Sequence, residues 1–101
     1  RQVLAREVEG RYIENVYKLN IMNTAEQTQK FMVTAEGLPD ISVARGAQIV
    51  AEPASTAAAV LAVRVPIDTV KPGSHPIRFK IQSETESAIH VDEKSVFLIP
   101  R

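Results

Sequence analysis

The side chains best equipped for chemistry in this sequence are His75, His90, Met22 and Met32, whose imidazoles and thioethers could hold copper or another transition metal. A metal centre needs its ligands at one point, and sequences that build one usually show short, repeated ligand spacings. These four are dispersed. His75 lies between Ser74 and Pro76 in turn-like sequence, and His90 opens the last strand-like segment. No intrinsic metal site is expected, and His75 and His90 are the residues on which that expectation is tested. Paired carboxylates occur at Glu7 and Glu9, at Glu84 and Glu86, and at Asp92 and Glu93. Each pair sits among polar neighbours at a turn or strand end, where solvated charge is the default, so general acid–base work is not expected of them. Ser74 beside His75 is adjacency in sequence, which is not triad geometry. The four glycines are scattered singly, so there is no glycine-rich phosphate loop. The sequence therefore offers no catalytic and no cofactor-binding residues, and it does not read as an enzyme.

Composition narrows the field further. The chain has no cysteine, which excludes disulfides, thiolate metal sites, iron–sulfur ligation and thiol nucleophiles within it. Lys and Arg number 12 and Asp and Glu number 12, so no net field draws it to nucleic acid or to an anionic membrane. The longest apolar run, Ala57 to Val65, is far shorter than the roughly 20 residues a spanning helix needs, and no membrane insertion of this segment is expected. The 101 residues suit one domain able to bury about 60 to 65% of its unfolded surface. Starting at Arg1 without a methionine or signal-like segment, the sequence reads as a piece of a longer chain.

The elements that must position these side chains are strands. In GRYIENVYKLNIMN, residues 10 to 23, Ile13, Tyr17, Leu19 and Ile21 alternate with Glu14, Lys18 and Asn20, which predicts a strand over about Tyr12 to Met22 with one face in a core and one in water. Val3, Leu4 and Val8 suggest a first strand, closed by Glu9-Gly10. After a polar turn in which Asn23 can bond its own backbone, Lys30 to Glu36 follows with Phe31, Val33 and Ala35 inward. Ile41 to Val43 and Gln48 to Ala51 read as short edge strands divided by Arg45-Gly46. In Ala57 to Val65 the charge on Arg64 sets the faces: Leu61, Val63 and Val65 point in, Ala58, Val60 and Ala62 out. Lys71-Pro72-Gly73 is a turn, and Ile77, Phe79 and Ile81 alternate after it. Ser83 to Ser87 reads as a hairpin loop, and Ala88 to Ile99 as the last strand, with Phe97, Ile99 and Val91 inward.

Seven to eight such strands, each apolar on one face, predict an all-β, antiparallel immunoglobulin-like β-sandwich without a disulfide, a closed barrel being the alternative. In that order the second and third strands belong to opposite sheets, which puts Met22 and Met32 on opposite outer faces, unable to share a metal. Asn15 falls on the same face as Ile13 and Tyr17, and a buried amide there must be hydrogen-bonded, which makes it a structural clamp. Val16, Ala58, Val60 and Ala62 form a small outward apolar patch beside Lys18 and Arg64, the expected interaction face. Lys30, Arg78 and Lys80 form a basic stripe on the other sheet, which by default is a solvated face.

The segment Ile13 to Asn23, with Asn15, Tyr17 and Asn23 in an N-x-Y … N spacing, resembles the C-terminal immunoglobulin-like domain of FixG-type proteins, also called CcoG. So do the Gly37-Leu38-Pro39 turn, the Pro72-Gly73 turn leading into PIRFKI, and the closing SVFLIPR. The resemblance covers residues 1 to 101 as one domain, the loop from Arg45 to Thr56 aligning least well. It implies a membrane-anchored parent with 4Fe–4S clusters, associated with assembling the haem–copper terminal oxidase and with copper handling. Those clusters belong to the rest of the parent, and this domain would be a non-catalytic accessory module on the periplasmic side of the inner membrane. Its implied partners are its own membrane domain, an oxidase subunit or a copper chaperone. A copper-binding module and a structural spacer are the alternative readings.

Overall fold

The computed structural model describes residues 4–84 and 90–101, with the backbone alone at Leu4. Eight strands are present among them: β1 (Leu4–Val8), β2 (Tyr12–Asn23), β3 (Gln29–Glu36), β4 (Ser42–Arg45), β5 (Gln48–Ala51), β6 (Ser55–Pro66), β7 (Gly73–Ser83) and β8 (His90–Ile99). They form two four-stranded sheets, ordered β1-β2-β6-β4 and β5-β3-β7-β8, with every pairing antiparallel. The architecture is the sandwich and not the barrel, because neither sheet closes on itself. No helix among the described residues is long and apolar enough to cross a membrane.

Local chemistry sets the strand ends. The β1–β2 hairpin turns on Glu9 and Gly10, both at positive φ (55° and 63°), and the Arg11 N–H donates to the Val8 carbonyl at 3.1 Å. Asn23 ends β2 with its Oδ1 accepting from the Ala25 N–H at 3.0 Å, the side-chain turn expected of it. Its Nδ2 also donates to the carbonyls of Gln27, Ala51 and Glu52, so this 3%-exposed amide ties the start of β3 to the end of β5. β4 and β5 are both edge strands, yet they belong to opposite sheets, and only Gly46-Ala47 separates them. The crossing requires Gly46: its φ is +82°, and a Cβ there would overlap the Val60 carbonyl oxygen. The Val33 N–H then takes the Ala47 carbonyl at 2.7 Å, seating the chain on the second sheet.

The interior is filled by the alternate side chains the pattern selects. Tyr17, Leu61, Val63, Val65, Val33, Phe79 and Phe97 are each at most 1% exposed, and the Tyr17 and Phe79 rings meet edge to face at 5.1 Å. Four expectations need correction. Val91 lies opposite the buried Ile81 on the inner side of its sheet but is 55% exposed and joins no core, β8 being an edge strand. Ser83 is a buried strand residue, its hydroxyl donating to Gln29 Oε1 at 3.0 Å, so β7 continues where a loop was expected. Ala62 is only 3% exposed although it points outward: it lies on the interior strand β6 between Val16 and Arg45, whose longer side chains rise over a methyl group. Glu14, expected in water, is fully buried for the reason given below. The expectations for Val3, Glu86, the loop over 85–87 and the first two residues of the last strand fall outside the described residues.

Candidate functional site

Where the two sheets meet at β8, side chains of β2 take the place of a neighbouring strand. Pro76 lies opposite Val96 in the β7–β8 register. Proline has no N–H, so that rung carries no ladder bonds, and by alternation Val96 and Leu98 direct their backbone polar groups to the free edge. Asn15 meets both groups of Leu98: its Nδ2 donates to the carbonyl at 3.0 Å and its Oδ1 accepts from the N–H at 2.8 Å. The Tyr17 hydroxyl donates to the Val96 carbonyl at 2.7 Å and lies 3.4 Å from Asn15 Oδ1. Burial pushes the Tyr17 phenol well above its ordinary range, so it stays a neutral donor. The inward N-x-Y pair is thus two residues of one sheet bonded to the edge of the other, and Asn15 is fully buried there.

On the outer face of the first sheet, Arg6, Glu14 and Arg64 lie side by side across β1, β2 and β6. Arg6 donates to Glu14 Oε1 through Nη2 at 3.0 Å, Arg64 donates to Oε2 through Nε at 3.0 Å, and Arg64 Nη1 reaches Glu9 at 3.1 Å. The Arg64 guanidinium also lies 5.6 Å from the centre of the Tyr12 ring. Glu14 is buried beneath its two partners rather than in the core. Desolvation pushes its carboxyl up, but the hydrogen bonds and charges of Arg64 and Arg6 outweigh it and hold the group below its ordinary value. Sequence reading missed this cluster, because Arg6 and Arg64 are 58 positions apart and only the register joins them.

The expected interaction face divides. Val60 (63% exposed), Ala58 and Lys18 are open on the outer face of the β2–β6 pair, and Met22 (71% exposed) continues that face toward one end. Val16 is half-buried, Arg64 is engaged with Glu14 and Glu9, and Ala62 is covered, so the usable face is the Val60 end of the ribbon.

The candidate metal ligands stand apart. His75 and His90 lie at opposite ends of the β7–β8 pair, His90 being opposite Gln82, seven residues along from His75, or about 23 Å at the rise of a strand. His75 Nε2 donates to the Lys71 carbonyl at 2.6 Å. Met22 and Met32 are exposed on different sheets. Among the described residues no group of three or more His, Cys, Asp or Glu could hold a metal ion.

The family described as "IG-like fold at C-terminal of FixG, putative oxidoreductase" matches residues 1–100. The chain belongs to this family. The crystal structure of a FixG-related protein from Vibrio parahaemolyticus superposes with a TM-score of 0.78 at 22% identity, covering 96% of this chain and 92% of that one, which establishes the shared fold. No curated protein matches the chain. The sandwich described above is thus the immunoglobulin-like fold that the family description places at the C terminus of FixG, and the 101 residues contain no cysteine.

Proposed function

We propose that this FixG C-terminal domain is a non-catalytic accessory module that docks through the Val60 face onto its own membrane domain or onto an oxidase-assembly protein. It would act on the periplasmic side of the inner membrane during assembly of the haem–copper terminal oxidase and the copper handling that accompanies it. The observation that carries this reading is the unshielded apolar group on an otherwise polar sheet face: Val60 and Met22 are 63% and 71% exposed, with Ala58 between their rows and Lys18 opposite Val60. Family membership supports it by placing such domains at the C terminus of FixG. Electron transfer through thiolate-bound clusters would belong to the parent, since this chain has no cysteine to ligate them.

Photo-crosslinking from position 58, exposed beside Val60 on the same face, in membranes holding the full-length parent tests the proposal. Capture of the parent's membrane domain or an assembly protein, lost in Val60→Glu while the urea midpoint is unchanged, is the expected result. An unaltered crosslinking pattern in Val60→Glu removes the docking role and leaves a spacer.

A further inference from the structure

The outer face of the β7–β8 pair carries a charge arrangement that the fold does not use. Arg78 and Lys94 are directly opposite one another. Alternation from the Pro76–Val96 rung makes theirs another rung without ladder bonds, the kind in which side chains stand closest, with Cβ atoms about 4.5–5.5 Å apart. Like charges at that separation work against strand pairing. Both side chains are exposed, and neither has an acidic partner among the described residues. Glu36, opposite Arg78 on β3, instead points its carboxylate at Lys80, 3.7 Å away.

The two cations border an open cleft of about 670 Å³ that is also lined by Glu36, Gly37, Pro76, Ile77 and Ser95. A Cβ at Gly37 would come within 3.0 Å of the Pro76 carbonyl oxygen and 3.1 Å of Ile77 Cα, so glycine lets the chain pack directly on β7 at this end of the cleft. A guanidinium matches a carboxylate with two parallel N–H donors, an ammonium beside it adds a point charge, and the proline ring offers an apolar rest for the carbons behind the carboxylate. Glu36, which lines the cleft with its carboxylate 3.7 Å from Lys80, and Asp92, opposite Lys80, would repel the regularly spaced phosphates of a nucleic acid, whereas a single carboxylate can be seated between Arg78 and Lys94.

We propose that this cleft is a docking site for a carboxylate carried by an extended peptide segment of a partner protein, gripped by Arg78 and Lys94 over Pro76. The site is on the sheet opposite Val60 and stands whether or not that face docks a partner.

The test is an NMR titration of the domain with acetyl-Ala-Glu-Ala-Glu-Ala-amide, with its Gln counterpart, and with inorganic phosphate. Saturable shifts at Gly37, Arg78 and Lys94 are expected with the Glu peptide, at least tenfold weaker with the Gln peptide, and abolished in Arg78→Gln. Because Lys94 makes no stabilising pair among the described residues, Lys94→Gln is expected to weaken peptide binding while leaving the urea midpoint equal or higher. Absence of shifts, equal binding of the Gln peptide, phosphate binding as tight as the Glu peptide, or a lowered midpoint in Lys94→Gln would each overturn the proposal.

Discussion

Truncating Asn15 to alanine removes two hydrogen bonds at one stroke and leaves an edge strand without the group that closes it. The bonds to Leu98 are short, 2.8 and 3.0 Å, and the amide that makes them is fully buried. A typical intramolecular hydrogen bond contributes about 1 kcal/mol net, which puts the pair at about 2 kcal/mol. Leu98 is half-buried, so water can reach part of the exposed backbone, and the residual desolvation cost adds at most about 1 kcal/mol. Asn15→Ala is therefore expected to cost about 2–3 kcal/mol, a large share of the roughly 5–15 kcal/mol that holds a domain together. At about 4–8 °C per kcal/mol for a domain of this size, the melting temperature should fall by about 10–20 °C. Urea unfolding followed by far-ultraviolet circular dichroism reads the midpoint at constant m. Tyr17→Phe should cost about 1 kcal/mol, and the double variant should be less than additive, because the Tyr17 hydroxyl lies 3.4 Å from Asn15 Oδ1. Asn15→Asp adds a sign test. Burial would raise the new carboxyl's pKa, and only its protonated form can donate to Leu98, so stability relative to wild type should be best below about pH 4 and worsen as pH rises. A midpoint for Asn15→Ala within a few tenths of a kcal/mol of wild type would refute the reasoning.

Glu14→Gln should cost about 1 kcal/mol at pH 7, near the upper end for ion pairs whose cations reach solvent. Because the folded carboxyl is held below its unfolded value of 4.5, its contribution is complete above that value and fades as pH falls through the lowered pKa; the urea midpoints of wild type and variant should converge in acid, and parallel curves down to pH 2 would contradict this. Gly46→Ala combines a positive φ with overlap against the Val60 carbonyl and should cost about 2–4 kcal/mol in thermal or chemical unfolding, whereas Gly10→Ala, with open space around its Cβ, should cost about 1–2. Titration of the isolated domain with Cu(I) or Cu(II) should show no tight stoichiometric binding by calorimetry; sub-micromolar affinity lost in His75→Ala or His90→Ala would reverse that expectation.

What could be read along the chain and what could not divide on physical grounds. Strand identity is local: alternation in Ile13 to Ile21, Leu61 to Val65 and Ile77 to Ile81 names both the strand and its buried face, since successive side chains point to opposite sides whatever the strand pairs with. The two-layer architecture follows, because strands apolar on one face need a second layer to cover them, and the inward N-x-Y motif marked Asn15 as an amide in need of partners. The identity of those partners is not local. Leu98 and Val96 lie 83 and 79 positions away, and only the packing of one sheet's centre against the other's edge brings them to Asn15 and Tyr17. Lateral register likewise decided that Glu14 lies between Arg6 and Arg64 rather than in water, and that Ala62 is covered while Val60 is bare. Gly46 looked like a simple divider between two short strands; its role in passing the chain between layers depends on Val60, a neighbour in space alone. An alternating pattern says which way a side chain faces but not what stands beside it, and that is set by pairings whose free energy is shared across the whole sandwich.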